Sequence, residues 1–266
     1  MKRLFLDILF LSIAVLSIVS CTSLGVASVP PLVVAHRGGA VLAPENTLLC
    51  IQRGMEAGAD IIEIDVRMTA DGHVVLMHDK SVARTTDGDG LVCELSFDSI
   101  RSLSVLDSLE NVTDLYVPTL DEALSLVDGR CGLLIEVKDN DTLGIERAVT
   151  DAVLRHSAAG WVAVQSFSDD VLERFRDLDV SFPLEKLFNF KYPWIPYIND
   201  GGMRRFDFVK YDYISSFNVS RRYARPGLIK RLREAGKGVK VWTVKGGRDS
   251  FLKPVDAVIT DYPHMW

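Results

Sequence analysis

The sequence predicts an α/β fold, a (β/α)8 barrel with a small insertion after its second barrel strand. Three observations point there. The chain has 266 residues, an ordinary length for one such barrel. Eight short apolar runs recur, mostly alternating with helical patterns, which marks βα units. Hydrophobic residues make up 48% of the chain, enough to fill a large core.

In chain order, the barrel strands are expected at 32–36, 61–66, 131–138, 161–166, 182–188, 213–217, 239–244 and 257–260. Helices are expected between most of them, at 47–57, 142–156, 168–178 and 226–235. Asn46 or Thr47 would cap the first helix, and Gly58 would end it. Asp169 and Asp170 suit the start of another, near its positive dipole end. Twelve residues separate Val244 from Ala257, with Gly246, Gly247 and Pro254 among them, so no full helix is expected there.

One segment breaks the alternation. Thr69-Ala70-Asp71-Gly72 is a turn signal, and residues 74–78 after it are strand-like. So short a turn cannot make a parallel crossover, so the strands that it joins should be antiparallel. A fold at Ala70-Asp71 would set Glu63 roughly opposite His78. Residues 79–118 then form the insertion.

The N-terminus stands apart from the barrel. Lys2 and Arg3 precede a strongly apolar run over 4–19, short for a bilayer span of about 20 residues. An export signal fits better than a membrane helix. Ile18-Val19-Ser20-Cys21 resembles a bacterial lipobox, which implies cleavage before Cys21 and diacylglycerol on its sulfur. The expected organisation is a signal peptide over 1–20, a linker over 21–31 and a barrel domain over 32–266. The protein would then be exported and anchored by lipid to a bacterial membrane, facing the periplasm or the cell exterior. Thr22 after the cysteine, rather than Asp, resembles lipoproteins sent to an outer membrane. The alternatives are ordinary cleavage after Ala27, with Cys21 discarded, and an uncleaved anchor.

Composition narrows the function classes. The net charge is -6 with both signs interspersed, without the basic stripe that a nucleic-acid binder uses on phosphates. Cys50, Cys93 and Cys131 are widely spaced and form no CxxC pair, which argues against a zinc site. Their odd number argues against a disulfide framework, and they read as small core hydrophobes.

Charge placed inside strands carries the chemistry. Glu63 and Asp65 are two apart and project from one face, while Ile62, Ile64 and Val66 take the other. Glu136 and Lys138 repeat this on the next barrel strand, with Ile135 and Val137 opposed to them. An ion-pair layer is the plain reading. Three carboxylates from adjacent strands favour a hard divalent cation instead, Ca2+ or Mg2+, because the ligands are all oxygen. His36 ends the first strand beside Gly38 and Gly39, and His78 ends the hairpin strand, so both emerge at neighbouring strand ends. His73, His156 and His264 lie elsewhere and are taken as bystanders.

His36-Arg37-Gly38, Pro44-Glu45-Asn46-Thr47, Glu63-Ile64-Asp65 and His78-Asp79 match, in order and spacing, the motifs of glycerophosphodiester phosphodiesterases. Ile135-Glu136-Val137-Lys138, Gln165-Ser166-Phe167, Val241-Trp242-Thr243-Val244 and Ile259-Thr260-Asp261-Tyr262-Pro263 resemble the later blocks of that family. The resemblance runs from about Val33 to Pro263. It implies metal-dependent hydrolysis of a small-molecule glycerophosphodiester to glycerol 3-phosphate and an alcohol. By the family pattern His36 is the base and His78 the acid, while Glu63, Asp65 and Glu136 hold the metal. Arg37 and Lys138 would offset charge developing on phosphorus, and Gln165 would touch the substrate. Glu45 and Asn46 would cap a helix and orient His36.

The chain departs from the family at Lys245, where Asn is usual, and at Glu185 and Lys186, in a strand that is usually apolar. Two other readings were weighed. One is phospholipase C- or D-like action on intact or lyso phospholipid. The other is a surface lipoprotein that binds a partner and uses the barrel as scaffold.

Overall fold

The computed structural model describes residues 30–138, 144–188, 208–246 and 254–266. Its strands are β1 (Leu32–Ala35), β2 (Ile61–Met68), β3 (Val74–Leu76), β4 (Gly132–Val137), β5 (Val162–Ser166), β6 (Leu184–Phe188), β7 (Ser216–Ser220), β8 (Gly238–Trp242) and β9 (Ala257–Thr260). They run in the order β1-β9-β8-β7-β6-β5-β4-β2-β3, and a further β1–β2 pairing closes the ring. The eight barrel strands pair in parallel, and β3 alone is antiparallel, hung on β2 beyond the closure. The expected (β/α)8 barrel is therefore present, hairpin included.

Strand alternation divides the interior into two cores. Outward residues such as Ile62, Ile64, Val66, Leu133, Ile135, Val162 and Val164 form one large cluster with the helices. Val34, Leu134, Ala257 and Ile259 form a small apolar plug inside the ring. The remaining inward positions carry Glu63, Asp65, Glu136, Gln165, Glu185 and Asn218, all buried.

The helices are α1 (Leu48–Glu56), α2 (Phe97–Arg101), α3 (Leu120–Val127), α4 (Ile145–Arg155), α5 (Asp169–Asp177) and α6 (Pro226–Glu234). Thr47 caps α1, its hydroxyl accepting the Cys50 N–H at 3.1 Å. Helix α3 lies outside the expected set. Its start carries a reciprocal capping box between Thr119 and Glu122, a signal present in the sequence as T-x-x-E. Asp169 and Asp170 occupy the first turn of α5 behind a Ser168 cap.

Most strand boundaries move by one to three residues, and three of the shifts matter here. β1 stops at Ala35, and His36 opens a short 3-10 turn over His36–Gly38. β3 stops at Leu76, two residues before His78. β7 begins three residues later than expected, because the chain before it is a turn. There Tyr211 and Ile214 are buried, and the Lys237 ammonium binds the carbonyls of Tyr211, Asp212 and Ile214.

The hairpin register also corrects the expected one. Val66 faces Leu76, Arg67 faces Val75 and Met68 faces Val74. Thr69 N–H donates to the His73 carbonyl, so the loop holds Ala70, Asp71 and Gly72, with Gly72 in the left-handed region at φ 88°. Its apex is Asp71, and the ladder is one residue out from a fold at Ala70-Asp71. The same register, extended, sets Glu63 opposite Asp79 rather than His78.

The insertion over 79–118 has a core of its own. Val82, Val92, Ile100, Val105 and Val117 bury themselves against Val75 of β3 and Met77. The expected signal peptide and Cys21, residues 142–143 of the helix expected over 142–156, and most of the segment between Val244 and Ala257 lie outside the described residues. No helix among the described residues is long and apolar enough to cross a membrane.

Candidate active site

β2 carries Glu63 and Asp65 inward, both with 0% exposure, and the β2–β4 register sets Glu136 beside Asp65. One carboxylate oxygen from each of the three lies within 4.8 Å of the others. Burial and the neighbouring charge of Asp65 push Glu63 up to about 8. Burial also raises Glu136, against the opposing Lys138 ammonium. Burial works against charge on Asp65 as well, yet Lys138, His78 and Arg37 hold it well below the usual carboxylate range. Lys138 Nζ is 2.7 Å from Asp65 Oδ1 and also pairs with Glu136. Asp65 Oδ1 receives no aligned hydrogen bond among the described residues. Three crowded, dry carboxylates with one ammonium between them are short of positive charge. This all-oxygen donor set fits a hard divalent cation.

The two histidines flank these carboxylates. His36, His78, Arg37, Glu63, Glu136, Lys138 and Gln165 all line one cavity, with Phe167 and Trp242 on its wall. His36 Nδ1 is 2.6 Å from Asp261 Oδ1, just past the end of β9. Burial opposes a proton on His36, but Asp261 and the charges of Glu63 and Asp65 outweigh it and raise its pKa. His78 Nδ1 is 2.6 Å from Asp79 Oδ1, and the Arg67 guanidinium donates to the His78 carbonyl at 3.1 and 2.9 Å. These contacts bend the chain so that His78 faces the cavity despite the altered register. Burial, with Lys138 and Arg37 nearby, lowers the His78 pKa.

A belt of ion pairs holds the rim. Arg37 Nη1 donates to Glu45 Oε1 at 2.9 Å, and its backbone N–H donates to Glu63 Oε2 at 2.8 Å. Arg84, from the insertion, donates twice to Glu45 and pairs with Asp79, the partner of His78. Asn46 differs from its expected role. Its side chain donates to Asp65 Oδ2 at 2.8 Å and accepts the Asp65 N–H at 3.0 Å, so it orients a carboxylate and not His36.

The family model described as "Glycerophosphoryl diester phosphodiesterase family" matches residues 36–265. The chain belongs to this family.

Within the glycerophosphoryl diester phosphodiesterase family, similar proteins cover most of the chain. A glycerophosphodiester phosphodiesterase of Caldanaerobacter subterraneus subsp. tengcongensis is 31% identical over 241 residues, 87% of this chain and 94% of that protein. Human glycerophosphodiester phosphodiesterase 1 is 32% identical over 239 residues, 79% of this chain and 71% of that protein. Among solved structures, an Oleispira antarctica phosphodiesterase in complex with the product sn-glycerol-3-phosphate superposes with a TM-score of 0.72 at 25% identity. That match covers 88% of this chain and 94% of the other.

The expected histidines, Arg37, Lys138, Gln165 and the three carboxylates come together at one mouth of the barrel, with Asp65 buried beside Glu136. Gln165 lines the cavity, and its amide donates to Glu63 Oε1 at 3.1 Å. Two of the bystander histidines are engaged elsewhere: His73 stacks on Phe97, and His156 binds Asp121. Sequence reasoning assigned no role to Asp261, Asp79 or Arg84. For Asp261 a signal existed, because barrel closure puts the last strand end beside the first. Lys245, a departure from the family, adds its positive charge to the groups that lower Asp261. Glu185 and Lys186 separate to opposite faces, Glu185 inward to Lys240 and Lys186 outward to Asp169. Among the described residues Cys50, Cys93 and Cys131 are free, Cys50 buried and the other two partly so.

Proposed function

We propose that the chain hydrolyses glycerophosphodiesters to glycerol 3-phosphate and an alcohol, with Ca2+ or Mg2+ held by Glu63, Asp65 and Glu136 and with protons handled by His36 and His78. The observation that carries this is one cavity lined by both histidines, Glu63 and Glu136, with Asp65 clustered against those two carboxylates. The product complex of the Oleispira antarctica relative supports the substrate class.

The residues divide the work. Arg37 and Lys138 bring fixed positive charge to the phosphoryl oxygens, Arg37 as a planar fork and Lys138 as a point charge. The leaving alkoxide is a strong base, and His78, on the insertion side of the mouth, is its acid. His36, oriented through Nδ1 by Asp261, takes the proton of the nucleophile, either water or the substrate's neighbouring hydroxyl. A cation held by Glu63, Asp65 and Glu136 would polarise the phosphoryl oxygens.

The test is a panel of glycerophosphodiesters assayed with Ca2+, Mg2+ or chelator, reading glycerol 3-phosphate. Release that depends on metal supports the reading. A folded, metal-replete protein inert on the whole panel overturns it.

The lipobox-like Ile18-Val19-Ser20-Cys21 supports export and lipidation at Cys21. Mass spectrometry of the mature N-terminus decides this, since a free thiol at Cys21 or cleavage beyond it is incompatible with the anchor.

A further inference from the structure

Behind the cavity, a line of hydrogen bonds crosses the barrel interior. Lys240 on β8 pairs with Glu185 on β6. Asn218 Nδ2 on β7 donates to Glu185 Oε2 at 2.8 Å and to Gln165 Oε1 at 2.7 Å. Gln165 Nε2 on β5 then donates to Glu63 Oε1 at 3.1 Å. Gln165, Asn218 and Glu185 are each at least 95% buried, so the line is closed to solvent.

The direction of this line follows from donor and acceptor capacity. A carboxylate paired with an ammonium only accepts. Glu185 therefore takes the NH2 end of Asn218. The carbonyl end of Asn218 is occupied too, by the Ser216 hydroxyl at 3.2 Å. The second N–H of Asn218 demands an acceptor, so Gln165 must offer its oxygen there. The NH2 of Gln165 is left pointing at Glu63. A reversed Gln165 would set oxygen against oxygen at Glu63 and nitrogen against nitrogen at Asn218. Glu63 Oε2 is meanwhile held by the Arg37 N–H, so both of its oxygens receive one fixed donor.

We infer that Asn218 and the Glu185–Lys240 pair are positioning residues for the metal-binding carboxylate Glu63, acting through the amide direction of Gln165. They touch neither substrate nor metal. This gives the charges at Glu185 and Lys240 a task, and it makes Gln165 a support of the ligand set. The inference rests on the cation reading proposed above.

The test exchanges carboxylate and amide. In the double variant Glu185→Gln/Asn218→Asp, the net charge and the links between Lys240 and Gln165 are kept, and only the bond to Glu63 is lost. The carboxylate now stands beside Gln165 and turns its NH2 away from Glu63. Ca2+ and Mg2+ are each titrated calorimetrically into the whole chain stripped of metal, with thermal unfolding recorded alongside. The expected result is a metal affinity weaker by about 10–100-fold, the usual effect of losing a support to a metal ligand. The unfolding temperature of the metal-free chain should change little. Excess metal should restore most of the activity.

A second variant covers the case in which the exchange does not fold. Gln165→Met removes the donor and keeps the length, and it should lose affinity by a similar factor. Tight binding that survives in either folded variant overturns the relay. Absence of saturable binding in the unmodified chain overturns the cation reading, and the relay with it.

Discussion

His36 Nδ1 and Asp261 Oδ1 are 2.6 Å apart although 225 residues separate them in the chain. β1 and β9 pair in parallel, so their ends emerge side by side at the mouth. The pair aims the other imidazole nitrogen into the cavity and favours the protonated ring. Asp261→Ala should lower kcat by about ten- to a hundredfold, part of the 10²–10⁴ that positioned proton transfer contributes. In metal-free protein the His36 titration, followed by NMR, should move to lower pH. An unmoved titration would show that Asp261 does not govern this ring.

The ligands and their supports should separate in a metal titration. Glu63→Gln removes a ligand charge and should weaken metal binding by more than about a hundredfold, beyond the 10–100-fold typical of supporting residues. Asn46→Gly should fall within that lower range. Asn46 sits at φ 57°, which glycine adopts freely, so this change removes the two hydrogen bonds to Asp65 without straining the backbone. Equal effects from both substitutions would contradict the assignment.

Acid should act on the belt at Asp79. Burial opposes its charge, but the bonds from Arg84 and His78 hold its pKa at about 2. An unfolded aspartate titrates near 3.9. The folded value is depressed, so the stabilisation is fully present above about pH 4 and is lost as pH falls through about 2. Urea midpoints from pH 5 to 2.5 should therefore fall more in the unmodified chain than in Asp79→Asn. The difference should shrink with added salt, because this pair is partly exposed to water. A variant with an equal or steeper loss would remove Asp79 from this role.

Gly54 sets how closely α1 approaches the His36–Gly38 turn. A Cβ there would lie 2.3 Å from the Gly38 carbonyl oxygen and 2.9 Å from Ile62 Cδ1. The nearer atom is backbone, so the turn itself must shift. Gly54→Ala should cost about 1–3 kcal/mol in urea unfolding. It should also lower kcat, since His36 and Arg37 ride on that turn. Full activity at reduced stability would show that the turn adjusts independently of the site.

Much of the site could be read before the fold. Charges at alternate strand positions name a face, because side chains on a strand alternate. That rule brought Glu63, Asp65, Glu136 and Lys138 together. The short turn after Met68 required an antiparallel strand and carried His78 back toward the mouth. The register was one residue out because Gly72 adopts a left-handed conformation, which adds a residue to the loop. Helix α3 escaped notice beside the insertion despite its capping box.

The sequence by itself determined the barrel, its hairpin, the family and the residues that gather at the mouth. Those follow from local patterning, where each strand states which side chains face inward. Tertiary structure alone decided how these residues are paired. It joined Asp261 to His36, Asn46 to Asp65, Arg84 to both Glu45 and Asp79, and Asn218 to Gln165. Such partners come from different strands and loops, and only closure of the ring sets their distances. The direction of the Gln165 amide depends on Asn218, two strands away, and on the Glu185 carboxylate that Asn218 binds, which no pattern along one strand can specify.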